Sequence, residues 1–184
     1  MERLDPRARS DIYGQRINRA PSAWRVVVVP YLSIMLGSII PLFLIADVMP
    51  LVPPLGFLML LAWRMVRPGL MPLWIGAPLG AFDDLVSGQP FGSAMLLWSI
   101  AMIAIELIET RFPWRGFWQD WFTAGLMAAG YWLVCLLVSG APVTPELFMV
   151  AFPQAVLAVL LYPIVARLVA GLDRFRLSRA RRID

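Results

Sequence analysis

The sequence predicts an all-α fold: a polytopic helical membrane protein of about six transmembrane helices, with both termini cytoplasmic. Three observations lead there. The 184 residues are 60% hydrophobic with a mean hydropathy of +0.73, whereas a soluble domain is nearer ~45–50% apolar. Apolar runs recur at the ~20 residues that a spanning helix needs. All sixteen basic residues are arginine, and they gather at alternate ends of those runs.

The runs place spans at roughly 26–46, 50–66, 70–86, 92–110, 118–139 and 147–170. The first, "VVVVPYLSIMLGSIIPLFLIA", is unambiguous. The second and third are short and proline-rich, so a tight hairpin that stops short of crossing is the alternative for that pair. Six arginines from Arg3 to Arg25 precede the first span. Arg64 and Arg67 follow the second, Arg111 and Arg115 the fourth, and six from Arg167 to Arg182 end the chain. Six crossings put all of them on one side, and positive charge marks the cytoplasm. Trp24, Trp63, Trp74, Trp114, Trp118 and Trp121 fall near the same interface, the level that indole rings prefer. Trp98 and Trp132 lie deeper and are expected to pack between helices.

Three segments follow: a basic cytoplasmic tail at 1–25, a six-span domain at 26–170 and a basic cytoplasmic tail at 171–184. Both tails read as mobile segments along an anionic leaflet. The first 25 residues are too long and charged for a typical signal peptide, so the first span reads as a retained anchor.

There is no histidine and a single cysteine, Cys135. No disulfide can form among these residues, and a Cys/His zinc site has no ligand set. A Ser/His or Cys/His nucleophile lacks its base. No catalytic residue, metal site or cofactor is expected. The arginines lie beside apolar segments, which points to membrane lipids and not to nucleic acid. Cys135 reads as a small packing residue.

The stretch "GAFDDLVSGQPFG", Gly80 to Gly92, is the most polar interruption of the apolar region. Asp83 and Asp84 fall at the outer end of the third span. A turn explains the two carboxylates most simply. The helical spacing asks for more: Gly76, Gly80 and Asp84 are four apart and share one face, and Gly76-x-x-x-Gly80 permits close helix approach. Asp83 points about 100° away. Asp84 is then expected to meet backbone N–H groups near Gly92 and Ser93, at the positive end of the next helix. Pro78 is expected to kink the third span. Two adjacent aspartates lack the spacing of a calcium loop.

Glu106 and Glu109 share a face of the fourth span near its cytoplasmic end. Glu106 lies about one turn deeper and needs a partner. Arg64 and Arg111 are both in range, and Glu106 with Arg111 is a candidate intramembrane ion pair. In the last span, Gln154 beside Pro153 can satisfy a backbone group that the proline frees. Tyr162-Pro163 marks a second kink, and Arg167 can snorkel to the surface.

The stretch "GAPLGAFDDLVSGQPFGSAMLLWSI" resembles the signature region of the rod shape-determining protein MreD family, through Gly80, Asp84, Gly88, Pro90 and Gly92. "FPQAVLAVLLYPIVARLVAGLDRF" is similar to the family's last span. The resemblance implies a non-catalytic scaffold in the bacterial inner membrane that serves cell shape and lateral wall synthesis. Its implied partners are MreC, with MreB, RodA and a penicillin-binding protein in the wider complex. Gly76, Gly80, Asp84, Gly88, Pro90 and Gly92 are the residues expected to contact a partner. The family's fold is similar to substrate-binding subunits of vitamin transporters, which implies a second reading as a small-molecule-binding subunit. The few polar residues expected in its outer half, Ser33, Ser38, Ser93 and Gln154, favour the scaffold.

Overall fold

A computed structural model describes residues 23–44, 53–112, 116–138 and 145–178. They form six α-helices: α1 (Ala23–Leu44), α2 (Leu55–Val66), α3 (Gly76–Ser87), α4 (Ser93–Arg111), α5 (Phe117–Val138) and α6 (Pro145–Leu177). A 3-10 turn, Leu73–Ile75, leads into α3. Among the described residues, three segments are long and apolar enough to cross a membrane: Trp24–Phe43, Ser93–Arg111 and Phe152–Leu177. α2 and α3 have 12 residues each, about 18 Å at 1.5 Å per residue.

α2 occupies the centre. Its sequence, "LGFLMLLAWRMV", is apolar almost all round, and every residue from Gly56 to Met65 is buried. A helix without a polar face is buried in protein or in lipid, and here its neighbours cover it. It packs on α1, α6 and α5, while α3 packs on α4 and α1, and α5 on α6. Trp63 belongs to this core and not to the interface expected for it: it is fully buried, and its indole N–H donates to Ser33 Oγ at 2.9 Å. Trp24, Trp74 and Trp118 are exposed. Trp114 lies outside the described residues.

Apolar stripes face outward: Leu32, Leu36 and Ile40 on α1; Leu96, Ile100, Ile103 and Leu107 on α4; Val156, Leu160, Ile164 and Leu168 on α6. Their spacing of three and four residues makes a continuous ridge on each helix. Exposure on this scale suits a lipid solvent, where packing contacts and hydrogen bonds replace the hydrophobic drive between helices.

Prolines shape two of the contacts. Pro30 has no N–H, so the carbonyl of Val26, four residues earlier, loses its helical donor. Arg176 Nη1 on α6 donates to that oxygen at 3.0 Å. Pro163 frees Val159 in the same way, and Trp121 Nε1 on α5 donates to the Val159 oxygen at 2.9 Å. Each of these two vacancies is thus a joint between helices.

Pro78 does not kink α3. It is the third residue of the helix, where a missing N–H costs no helical bond. The C-terminal boundary also differs from expectation. α6 runs to Leu177, and Asp173 and Arg176 are buried, so residues 171–177 are packed helix and not a free tail. Residues 1–22 and 179–184 lie outside the described residues.

Candidate functional site

The polar side chains gather at two ends. At the arginine end, Arg64 is buried and forms ion pairs with Glu106 and with Glu109, the latter at 2.7 Å. The pairing of Glu106 with Arg111 is replaced by this one. Arg64 points from the central helix directly at the Glu106/Glu109 face, whereas Arg111 sits exposed on the last turn of α4. Beside it, Asp173 accepts from Arg67 Nε at 2.8 Å and pairs with Arg176 at 2.9 Å. The Arg176 guanidinium also lies over the Trp63 ring, 5.6 Å from its centroid. Buried charges persist only when paired and hydrogen-bonded, and this cluster joins α1, α2, α4 and α6.

At the other end, the expected contact of Asp84 with the start of the next helix is present. Asp84 Oδ2 accepts from the backbone N–H of Gly92 at 2.8 Å and of Met95 at 3.2 Å. Oδ1 accepts from the Ala94 N–H at 2.8 Å and from Ser93 Oγ at 3.1 Å. The first N–H groups of a helix have no partner within it, and a carboxylate satisfies them with favourable charge. Gly92, at the N-cap of α4, has no side chain to do so. Asp84 caps α4 from the end of α3.

The glycines serve the same junction. A Cβ on Gly80 would stand 2.6 Å from the Ala94 carbonyl oxygen, and one on Gly76 would stand 2.8 Å from that of Trp98. Only glycine permits α3 and α4 to approach this closely. Gly88 and Gly92 hold the turn at φ of +69° and +98°, which L side chains rarely adopt. Pro90 is exposed in the loop between them. The Gly76/Gly80 face, expected to contact a partner, is therefore filled by α4 of the same chain. Ala124 and Ala128, a second small-residue pair, are fully buried as well.

Asp83 faces elsewhere. It lines a cavity of about 410 Å³, together with Ser38, Val86, Gln89, Tyr131 and Trp132. The sequence indicated neither the cavity nor the roles of Gln89 and Tyr131, because its walls come from four separate helices. Tyr131 stacks on Phe57, with ring centroids 4.7 Å apart, and its hydroxyl reaches Gln89 Oε1 at 3.4 Å. Cys135 Sγ lies 3.7 Å from the same oxygen. A second, apolar groove of about 190 Å³ runs between α4 and α5, lined in part by Phe57, Ile100, Ala101, Leu126 and Gly130. Among the described residues, no three His, Cys, Asp or Glu side chains converge as a metal site.

These features define a class: an apolar helical protein with membrane-crossing helices, charged residues segregated to its two ends, and polar groups used mainly as struts. The model of the rod shape-determining protein MreD family matches residues 19–172, and the chain belongs to that family. It is accordingly a membrane protein with a rod-shape-determining function in cell shape. No curated protein and no solved structure matches it.

Proposed function

We propose that the protein is a non-catalytic scaffold of the rod complex in the bacterial inner membrane. In this reading it crosses six times, keeps both termini in the cytoplasm and supports lateral peptidoglycan synthesis by binding MreC. MreB, RodA and a penicillin-binding protein belong to the wider assembly. Family membership supports the setting. The observation that carries the docking is the α4–α5 groove. Gly130 on its wall is exposed, and a Cβ there would meet nothing within 4 Å. An open small-residue position between apolar ridges suits the close approach of a single transmembrane helix. With Gly76 and Gly80 engaged internally, the groove takes over the partner role from that face.

The test is Gly130→Leu, which fills the groove from an open position. The variant should insert and accumulate normally, while MreC recovered by co-purification falls about tenfold, the effect of ~1.4 kcal/mol. Undiminished recovery excludes the groove. Rod shape that persists after complete removal of the protein defeats the functional assignment itself. The Asp83 cavity favours a second reading, a substrate-binding membrane subunit of a small-molecule transporter.

A further inference from the structure

We propose that the Asp83 cavity binds a primary ammonium group, carried either by a lipid headgroup or by a small soluble amine. Asp83 is only 6% exposed. Its neighbour Asp84 receives four hydrogen bonds, yet Asp83 has no cation beside it among the described residues. The Ser38 hydroxyl is close by but off hydrogen-bond geometry. The ion-paired arginines, Arg64, Arg67 and Arg176, are all engaged at the opposite end. A buried carboxylate without a countercharge is costly, and an external ammonium removes that cost.

The walls suit such a ligand. About 410 Å³ lies within the size range of small-molecule sites, which are mostly apolar with a few convergent polar groups. Tyr131 and Trp132 supply aromatic surface, and aromatic faces attract ammonium groups. The Gln89 side-chain amide also lines the cavity, and its NH2 can donate to an oxygen acceptor carried by the ligand. Ethanolamine phospholipids and amino alcohols both combine an ammonium with such an oxygen. The site adjoins the α4–α5 groove through Tyr131, which lines both, but its test does not depend on MreC.

The full chain is placed in phosphatidylglycerol nanodiscs, which contain no amine, and titrated with phenethylamine and with its neutral counterpart 2-phenylethanol. Tryptophan fluorescence and thermal unfolding report binding. Phenethylamine should saturate and raise the melting temperature, at a concentration at least tenfold below that of 2-phenylethanol. Asp83→Asn should weaken the amine by about 30-fold or more, the usual loss when one member of a buried charged pair is neutralised, and leave the alcohol unchanged. Val86→Phe keeps the carboxylate but fills the cavity, and should abolish amine binding. Repeating the titration in phosphatidylethanolamine nanodiscs separates the sources: a shift to higher amine concentration assigns the site to the lipid headgroup, and an unshifted curve assigns it to a soluble amine. Equal binding of amine and alcohol to the unmodified protein overturns the proposal, as does no saturable amine binding at millimolar concentration. The comparison of amine with alcohol decides the matter even if a variant fails to fold.

Discussion

Arg176 Nη1 donates to the carbonyl oxygen of Val26 at 3.0 Å, joining the last helix to the first across 150 residues. Pro30 creates the acceptor, because it cannot donate to the residue four positions before it. The same guanidinium pairs with Asp173 and covers Trp63. One side chain thus neutralises a buried charge and satisfies a backbone group.

Arg176→Met should destabilise the protein by about 3–5 kcal/mol, because it leaves a buried carboxylate short of a partner. Pro30→Ala restores an N–H for Val26. In the Arg176→Met background it should recover about 1 kcal/mol relative to its effect in the unmodified protein. A double-mutant cycle, read by reversible unfolding in detergent, measures this coupling. Strict additivity of the two substitutions would show that the Val26 carbonyl is not the link.

Asp84 and Asp83 should respond in opposite directions. Asp84→Ala leaves the first N–H groups of α4 without an acceptor, at a cost of about 1.5–3 kcal/mol. Asp83→Asn removes a buried charge that has no cation, and should leave stability unchanged or raise it by about 1 kcal/mol. Thermal unfolding of the two variants side by side checks the order. Equal destabilisation would mean that Asp83 has a structural role as large as the cap.

Gly80→Val should prevent the mature fold from accumulating. Its Cβ would stand 2.6 Å from a backbone oxygen of α4, and backbone cannot move aside as a flexible side chain does. Overpacking costs about 1–3 kcal/mol or more. Size-exclusion profiles of a fluorescent fusion should show loss of the monodisperse peak for Gly80→Val and its retention for Gly130→Leu. A monodisperse Gly80→Val would mean that α3 and α4 can separate.

The sequence carried some of this geometry openly. Gly76, Gly80 and Asp84 share a face by their spacing, and the five residues Gly88–Gly92 leave α3 and α4 no choice but to lie side by side. The Asp84 cap was therefore legible. What the spacing could not say is whose helix fills a small-residue face, since internal and external contacts use the same residues. The partner of Glu106 was open for a related reason: Arg64 and Arg111 both suit the end of the span, and only the three-dimensional course of α2 selects Arg64. Trp63 precedes an arginine and reads as interfacial, yet the burial of α2 depends on all its neighbours together. The Arg176–Val26 joint did have a signal, a proline marking the fourth residue before it as an open acceptor, but nothing local singles out Arg176 among six C-terminal arginines. The Asp83 cavity had none, because its walls lie up to 94 residues apart between Ser38 and Trp132.

The α2–α3 pair decides the topology. Each helix is about 18 Å long, well short of the ~30 Å hydrocarbon layer. The contacts nonetheless draw the pair's two ends apart. Arg64 and Arg67, near the turn between the helices, are tied to Glu106, Glu109 and Asp173. Asp84, at the far end of α3, is tied to the start of α4. α4 itself is long and apolar enough to cross, so its two ends should lie on opposite faces. The arginine end belongs inside by the charge rule. We therefore expect a reporter fused after Pro68 to read cytoplasmic and one fused after Gln89 to read periplasmic, with the bilayer thinned around α2 and α3 or the extended segments flanking them making up the length. Active alkaline phosphatase at Gln89, with inactive fusions at Pro68, supports a full crossing by α3. A cytoplasmic signal at Gln89 would deny α3 its crossing and place the Asp83 cavity on the cytoplasmic side, whereas a periplasmic signal at both positions would make the pair a re-entrant hairpin and reduce the crossings.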